Sequence, residues 1–455
     1  MSKTGLKRIL SGAFLALVVL ALSKQSPRAD VPSADGVIAS WPAGLFETRI
    51  VFTHPREPGI AKELVGTSIV YDTGRPTRQS PPADVARTST TSDSKGTLRI
   101  AAARLEDQGH TLILTTDPHP REASYTLSIP RLKPILYDLS GVEVVIDDGA
   151  ENPSPVWQGW WPVFDPSEAR KRLKGSVGHE TGFARLTRKG KLTLTSFVRF
   201  PRGPLLVQIN TSAPVEATLG GESPGDNEAA ARAKEGKATF RAESSGEPML
   251  LSISVPIAGG DHLPVVTVAY QQADVKGEAT SITEDRLTVP WAPPTPPALA
   301  PLENVPDLKG GNPKNGAVVF ASADAKCATC HKVRGQGGNV GPELSSLVGH
   351  DRAEVYLDLF NPSARIHPDY VSYTIALKDG RVLVGTVRAK GADAIQVTDT
   401  EANVTILPRA EIEDVRPSAT SIMPVGLVGA IGEAKLRDLI AFLTTDTPPV
   451  PAASK

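Results

Sequence analysis

Lys191-Leu-Thr-Leu-Thr-Ser-Phe-Val-Arg-Phe200 alternates apolar with polar side chains along its length. Successive side chains of a strand point to opposite faces, so this period predicts a strand with one face in a core and the other towards solvent. Working outward, Leu205–Ile209, Met249–Val255 and Val265–Tyr270 read the same way. Between them, Glu222–Gly236 is polar, charged and Ala-rich, and reads as a loop or short exposed helix. Upstream, Thr48–Phe52, Thr97–Ala101, Thr111–Thr115 and Tyr125–Ile129 are β-favouring runs. The turn-rich segments Thr53–Pro58, Gly74–Pro76 and Asp117–Pro120 separate them. The expected fold is multidomain, beginning with two all-β sandwich-like domains at 37–133 and 134–290.

Composition agrees with that class. The chain has 455 residues, too many for one ordinary domain. Pro (40) and Gly (39) are in excess, which favours short strands and turns over a helical bundle. Lys and Arg (49) nearly balance Asp and Glu (50), which argues against nucleic acid as a partner. Two cysteines rule out a disulfide scaffold.

Basic residues up to Arg8 precede an apolar run from Ile9 to Leu22, and Lys24, Pro27 and Arg28 follow. This is the pattern of a secretory signal peptide, 1–29. The run is short for a bilayer span, which takes ~20 residues; an uncleaved membrane anchor is the alternative. The mature chain is expected in the periplasm or outside the cell.

Trp157-Gln-Gly-Trp160-Trp161 concentrates aromatic surface. It reads either as a carbohydrate platform or as packing, the usual fate of large aromatics. Residues 291–311, beginning Trp291-Ala-Pro-Pro-Thr-Pro-Pro297, read as a polyproline linker that separates the β domains from the rest.

Beyond it, Cys327-Ala-Thr-Cys330-His331 is C-x-x-C-H, the attachment pattern of covalent haem c. Two thiols add across the haem vinyls and the next His lies under the iron. A thioredoxin-like pair would follow a strand in a βαβ unit, and a zinc site would need further ligands. Asn312 and Pro313 read as an N-cap and first position of a helix presenting Gly316 and Phe320. Leu436, Leu439, Ile440 and Leu443 recur at helical spacing, with Phe442 beside them. Asp351 begins a further helix to Phe360. Val371–Leu377, Val382–Val387, Ala394–Val397 and Val404–Leu407 read as strands, with Asp379-Gly380 and Lys390-Gly391 as turns.

Several resemblances follow from these residues. The first β segment looks like an immunoglobulin-like domain, and the second resembles the protective-antigen type of sandwich. The C-terminal segment, 312–447, resembles class I cytochrome c. Its insertion at 368–416, followed by Ser421-Ile-Met-Pro424 and Asp438–Leu443, is similar to the planctomycete and verrucomicrobial (Pirellula-type) haem-binding domain. The resemblance implies a mainly-α cytochrome fold carrying an inserted small β-barrel. It implies one covalent haem c on Cys327 and Cys330, with His331 and Met423 as axial ligands and His350 and His367 as alternatives. Pro342 would orient His331, and Gly316, Phe320 and Phe442 would form the helix crossing.

The expected function is a monohaem cytochrome that passes single electrons to redox partner proteins and has no catalytic activity. No Ser-His-Asp arrangement, phosphate loop or carboxylate pair stands out. The alternatives are a haem-dependent sensor or enzyme, or an envelope or glycan-binding protein with an accessory haem domain.

Overall fold

A computed structural model describes residues 36–72, 95–120, 122–150, 153–220, 229–233, 236–273, 277–292, 305–364, 366–418 and 420–446. The expected signal segment 1–29, the turn at 74–76 and the proline-rich stretch 293–304 lie outside them.

The first region comprises β1 (Val37–Gly44), β2 (Glu47–Phe52), α1 (Gly59–Leu64), β3 (Ser68–Asp72), β4 (Lys95–Glu106), β5 (Thr111–Thr116), β6 (Ser124–Leu127) and β7 (Ile135–Tyr137). Its strands form one antiparallel sheet in the order β1-β2-β5-β4-β3-β6-β7. The expected two-sheet sandwich is corrected here. The long strand β4 serves two partners: 95–99 pairs with β3, and after a register shift at Ile100/Ala102 the rest pairs with β5. A bulge of this kind bends a strand, and the sheet curls until its ends meet. Ser40 Oγ in β1 donates to the Leu136 carbonyl in β7 (3.2 Å), and the Thr48 and Tyr137 hydroxyls lie 3.0 Å apart.

The second region begins with β8 (Val142–Asp147), β9 (Pro155–Trp161), α2 (Pro166–Arg172) and α3 (Val177–Arg185). The strands β10 (Gly190–Arg199), β11 (Gly203–Thr211), β12 (Val215–Gly220), β13 (Ala229–Ala233) and β14 (Gly236–Ser244) follow. It ends with β15 (Pro248–Ile257), β16 (Val266–Gln272), β17 (Thr280–Ser281) and β18 (Leu287–Thr288). One sheet runs β13-β12-β15-β10-β8-β9, with β18 also on β10; the other runs β14-β11-β16-β17. The alternation read at 191–200 is explicit in β10. Leu192, Leu194, Ser196 and Val198 are buried, while Thr193 and Thr195 turn outward to hydrogen-bond Ser254 and Ser252. Each fully buried aliphatic side chain there contributes about 1.5–3 kcal/mol. Part of the 222–236 stretch read as a loop or helix is the strand β13, paired with β12. Its alanines gain more from ladder bonds than from helix propensity.

The third region holds α4 (Pro313–Ala321), α5 (Cys327–Cys330), β19 (Lys332–Val333), β20 (Gln336–Gly337) and α6 (Arg352–Phe360). Next come β21 (Ser372–Leu377), β22 (Val382–Lys390), β23 (Ala394–Thr398), β24 (Val404–Pro408) and β25 (Ile412–Pro417). The helices α7 (Leu427–Ile431) and α8 (Glu433–Thr444) close the described chain. This region is not mainly α: its helices are short, α8 being the longest at 12 residues, and they share it with a five-stranded sheet. Nor is that sheet a barrel. Its order, β24-β23-β22-β21-β25, leaves β24 and β25 as open edges.

The expected separation of the β domains from the C-terminal region also fails. Leu45 is buried in one cluster with Tyr373, Ile375, Leu377 and Ile395, and Phe46 and Trp291 pack against it. Asp117, buried at the end of β5, accepts from Arg99 (3.2 Å), Arg388 (3.3 Å) and the Ala389 amide (2.7 Å). Tyr71 Oη donates to Asp369 at 2.8 Å. The inserted sheet is therefore docked on the first region. The first two regions also share one continuous hydrophobic core. No described helix is long and apolar enough to cross a membrane.

Candidate functional site

The C-x-x-C-H motif occupies one tight corner. α5 is a single turn entered through Lys326 in the left-handed region (φ 52). The chain then folds back so closely that a Cβ on Gly338 would lie 1.7 Å from the Thr329 carbonyl oxygen. Amides of Gly338, Val340 and Gly341 donate to the carbonyls of Ala328 and Cys330. His331 Nδ1–H donates to the Pro342 carbonyl at 2.9 Å, which leaves Nε2 as the unprotonated nitrogen. Burial pushes the His331 pKa down, which favours the neutral ring. Burial raises the Cys327 thiol to about 11 and raises Cys330 as well. Neither is an activated thiolate. The β23–β24 turn reaches over the motif, with Cys330 Sγ 3.8 Å from the Thr400 carbonyl.

The structure brings Gly316, Phe320 and Phe442 together where α4 crosses α8. A Cβ on Gly316 would lie 2.0 Å from the Asp438 carbonyl oxygen, and the two phenyl rings are 5.7 Å apart. Asn312 caps α4 by accepting from the Lys314 amide, and its own amide donates to Asp438 (2.6 Å). Met423 packs on the edge of the same cluster, which also takes in Cys327, Ala328 and Leu344. His350 is exposed; His367 is half-buried and its Nδ1 accepts from the Asp369 amide.

The tryptophans are packing residues. Trp161 is fully buried and stacked on Phe183 at 5.4 Å. Trp160 is buried, stacks on Trp41 at 5.7 Å and donates to the Ser140 carbonyl. Trp157 is wedged between Gly159 and Gly182 and donates to Gly178. Trp157 and Trp161 thus fasten α3 to β9, while Trp160 on the other face of the strand packs on β1, and the platform reading is corrected: alternate residues of β9 face the core and the helix laid over it. His179 lies among them: its Nε2–H donates to the Trp160 carbonyl (2.9 Å), and its Nδ1 accepts from the Ser176 hydroxyl (2.7 Å).

An open concavity adjoins α3. A cleft of about 450 Å³ is lined by Ser167, Arg170, Lys171, Lys174, Glu180 and Leu263. Asp165 builds its near wall by capping α2, accepting from the Ser167 and Glu168 amides with Pro166 at the first position. Glu168 in the first turn accepts from Arg172 at 3.0 Å, which holds its carboxyl below the usual range. α3 forms the second wall. The β15–β16 loop brings Leu263 to the rim, tied down by the Gly260 amide on the Thr187 carbonyl. The sequence signal for this site is the run Arg170-Lys-Arg-Leu-Lys174, a cluster of cations that matches no motif.

No family model matches the chain. No curated protein matches it either. Among solved structures, the PA14 domain of the MpAFP antifreeze protein is similar at 16% identity over 24% of this chain and 56% of that one (TM-score 0.18). The PA14 sugar-binding domain from an RTX adhesin is similar at 11% over 22% and 54% (TM-score 0.16). This chain thus spans little more than half the length of either. Epithelial adhesin 6 A domain from Candida glabrata, in complex with Galb1-3GlcNAc, is similar at 9% over 55% and 93% (TM-score 0.20). These TM-scores are too low to show a shared fold.

The cytochrome reading is corrected on these findings. No family model supports a Pirellula-type or class I cytochrome. Among the described residues, no group of three or more His, Cys, Asp or Glu could hold a metal ion. The covalent haem c, the iron pair His331 and Met423, and the redox partners inferred from them are withdrawn. What remains of the motif is its geometry: a neutral, oriented imidazole beside two protonated thiols.

Proposed function

We propose that this chain is an exported envelope protein whose β regions bind carbohydrate, a binding protein and not an enzyme. The observation that carries this reading is the cleft between α2, α3 and the β15–β16 loop. Its volume lies within the ~300–1,000 Å³ usual for small-ligand sites. It combines an apolar rim residue, Leu263, with hydroxyl, carboxylate and cationic groups that can fix the hydroxyls of a sugar. The basic and apolar segment before Ala29 supports export. The RTX adhesin domain is described as sugar-binding, but the proposal rests on the cleft.

The test is a glycan array probed with the full chain, followed by titration of the hits against Ser167→Trp, which puts an indole into the cleft. The expected result is saccharide binding that weakens at least tenfold in the variant. Binding unchanged by the variant, or a folded wild-type chain that takes no saccharide, overturns the proposal.

A further inference from the structure

We infer that the cleft selects anionic saccharides, those carrying carboxylate or sulfate groups; this deepens the carbohydrate reading and rests on it. Three cations, Arg170, Lys171 and Lys174, face a single lining carboxylate, Glu180. The surrounding acids do not cancel them. Glu180 reaches Arg170 only at 3.8 Å. Glu168 is engaged chiefly by Arg172 at 3.0 Å, with Lys171 at 3.6 Å. Arg172 bridges from Glu168 to Glu284 (3.1 Å) and is thereby occupied outside the cleft lining. Lys174 has no ion-pair or hydrogen-bond partner among the described residues.

Lys174 owes its position to the turn between the helices. Leu173 is buried beside it and Gly175 follows in the left-handed region (φ 88), so Lys174 stays exposed above the cleft. Ammonium and guanidinium groups are donors only, and anionic oxygens are their strongest acceptors. The apolar stems of Lys171 and Lys174, together with Leu263, offer a surface for the C–H face of a sugar ring. The cations are exposed, so each contact is worth up to about fivefold in affinity and is screened by salt. Selection comes from several such contacts acting on one ligand.

The experiment titrates the full chain with trigalacturonate and with its neutral methyl ester, each at low and at physiological salt. Trigalacturonate is expected to bind at least tenfold tighter than the ester. That margin should shrink with salt, fall about fivefold in Lys174→Ala and vanish in Lys174→Glu. Equal binding of acid and ester, unchanged in Lys174→Glu, overturns the anionic selection and leaves the carbohydrate reading standing. Inorganic sulfate displacing trigalacturonate at equal concentration shows a bare anion site and overturns the saccharide class. If neither saccharide binds and the array is blank, the carbohydrate reading falls with it.

Discussion

Replacing Gly316 by Ala tests the helix crossing of the third region. A helical Gly→Ala change ordinarily gains up to about 1 kcal/mol from propensity. Here the new Cβ would sit 2.0 Å from the Asp438 carbonyl oxygen and 2.6 Å from Phe442 Cβ. The first obstacle is backbone, so relief requires α4 and α8 to move apart. Both rings of the Phe320–Phe442 pair are almost fully buried, so separation opens that core. Overpacking of this kind costs about 1–3 kcal/mol. Backbone obstruction argues for the upper end, which leaves a net loss of about 2 kcal/mol. With a urea m-value of about 2 kcal/mol per M, the midpoint of this region falls by roughly 1 M. All five tryptophans lie at or before position 291, and none packs in the α4–α8 cluster, so their fluorescence follows the β sheets and not the crossing. Ellipticity at 222 nm, weighted to helices, follows the crossing. Gly429→Ala in α7 is the control, since a Cβ there meets nothing within 4 Å; it should be neutral or stabilising. A Gly316→Ala protein as stable as the wild type refutes the close crossing.

Three further outcomes are expected. Asp117→Ala removes the acceptor of Arg99, Arg388 and the Ala389 amide; at about 2 kcal/mol for such a buried hydrogen-bonded charge, hydrogen exchange at 387–390 should rise at least tenfold, and unchanged protection would show that the apolar cluster alone docks the sheet. His119 and His179 are held neutral by burial, each with its pKa lowered to about 4 from 6.5. The unfolded chain therefore takes up protons first as pH falls, and stability declines from pH 6.5 to about 4, by up to about 1.4 kcal/mol per pH unit for each ring; a urea midpoint, read by tryptophan fluorescence, that stays flat across that window contradicts the burial. Trp160→Ala should cost about 3–5 kcal/mol, seen as a lower fluorescence midpoint, whereas Trp157→Phe should leave saccharide binding unchanged if the cleft and not the aromatics takes the ligand.

Much of the secondary structure is legible because it depends on neighbours along the chain. The alternation at 191–200 forms β10, Asp379-Gly380 makes its turn, and Asn312 and Asp351 accept from the amides of the helices they begin. The run 229–233 forms a strand, not a loop or helix, because alanine is a helix former in isolation and a strand residue when β12 supplies its ladder. The candidate site was legible only as a run of basic residues at 170–174. Nothing local says that Arg172 bridges to Glu284 while Lys174 has no ion-pair partner among the described residues.

Period, turn chemistry and capping act over a few residues, so the order of chain letters suffices to specify strands, hairpins and helix starts. The curl of the first sheet, the burial of Trp160 and Trp161, and the docking of the inserted sheet on Asp117 join positions far apart in the chain. Asp117 and Arg388 are 271 residues apart. Which distant surfaces meet depends on how whole faces pack and which charges they desolvate, and that balance exists only once the chain has folded.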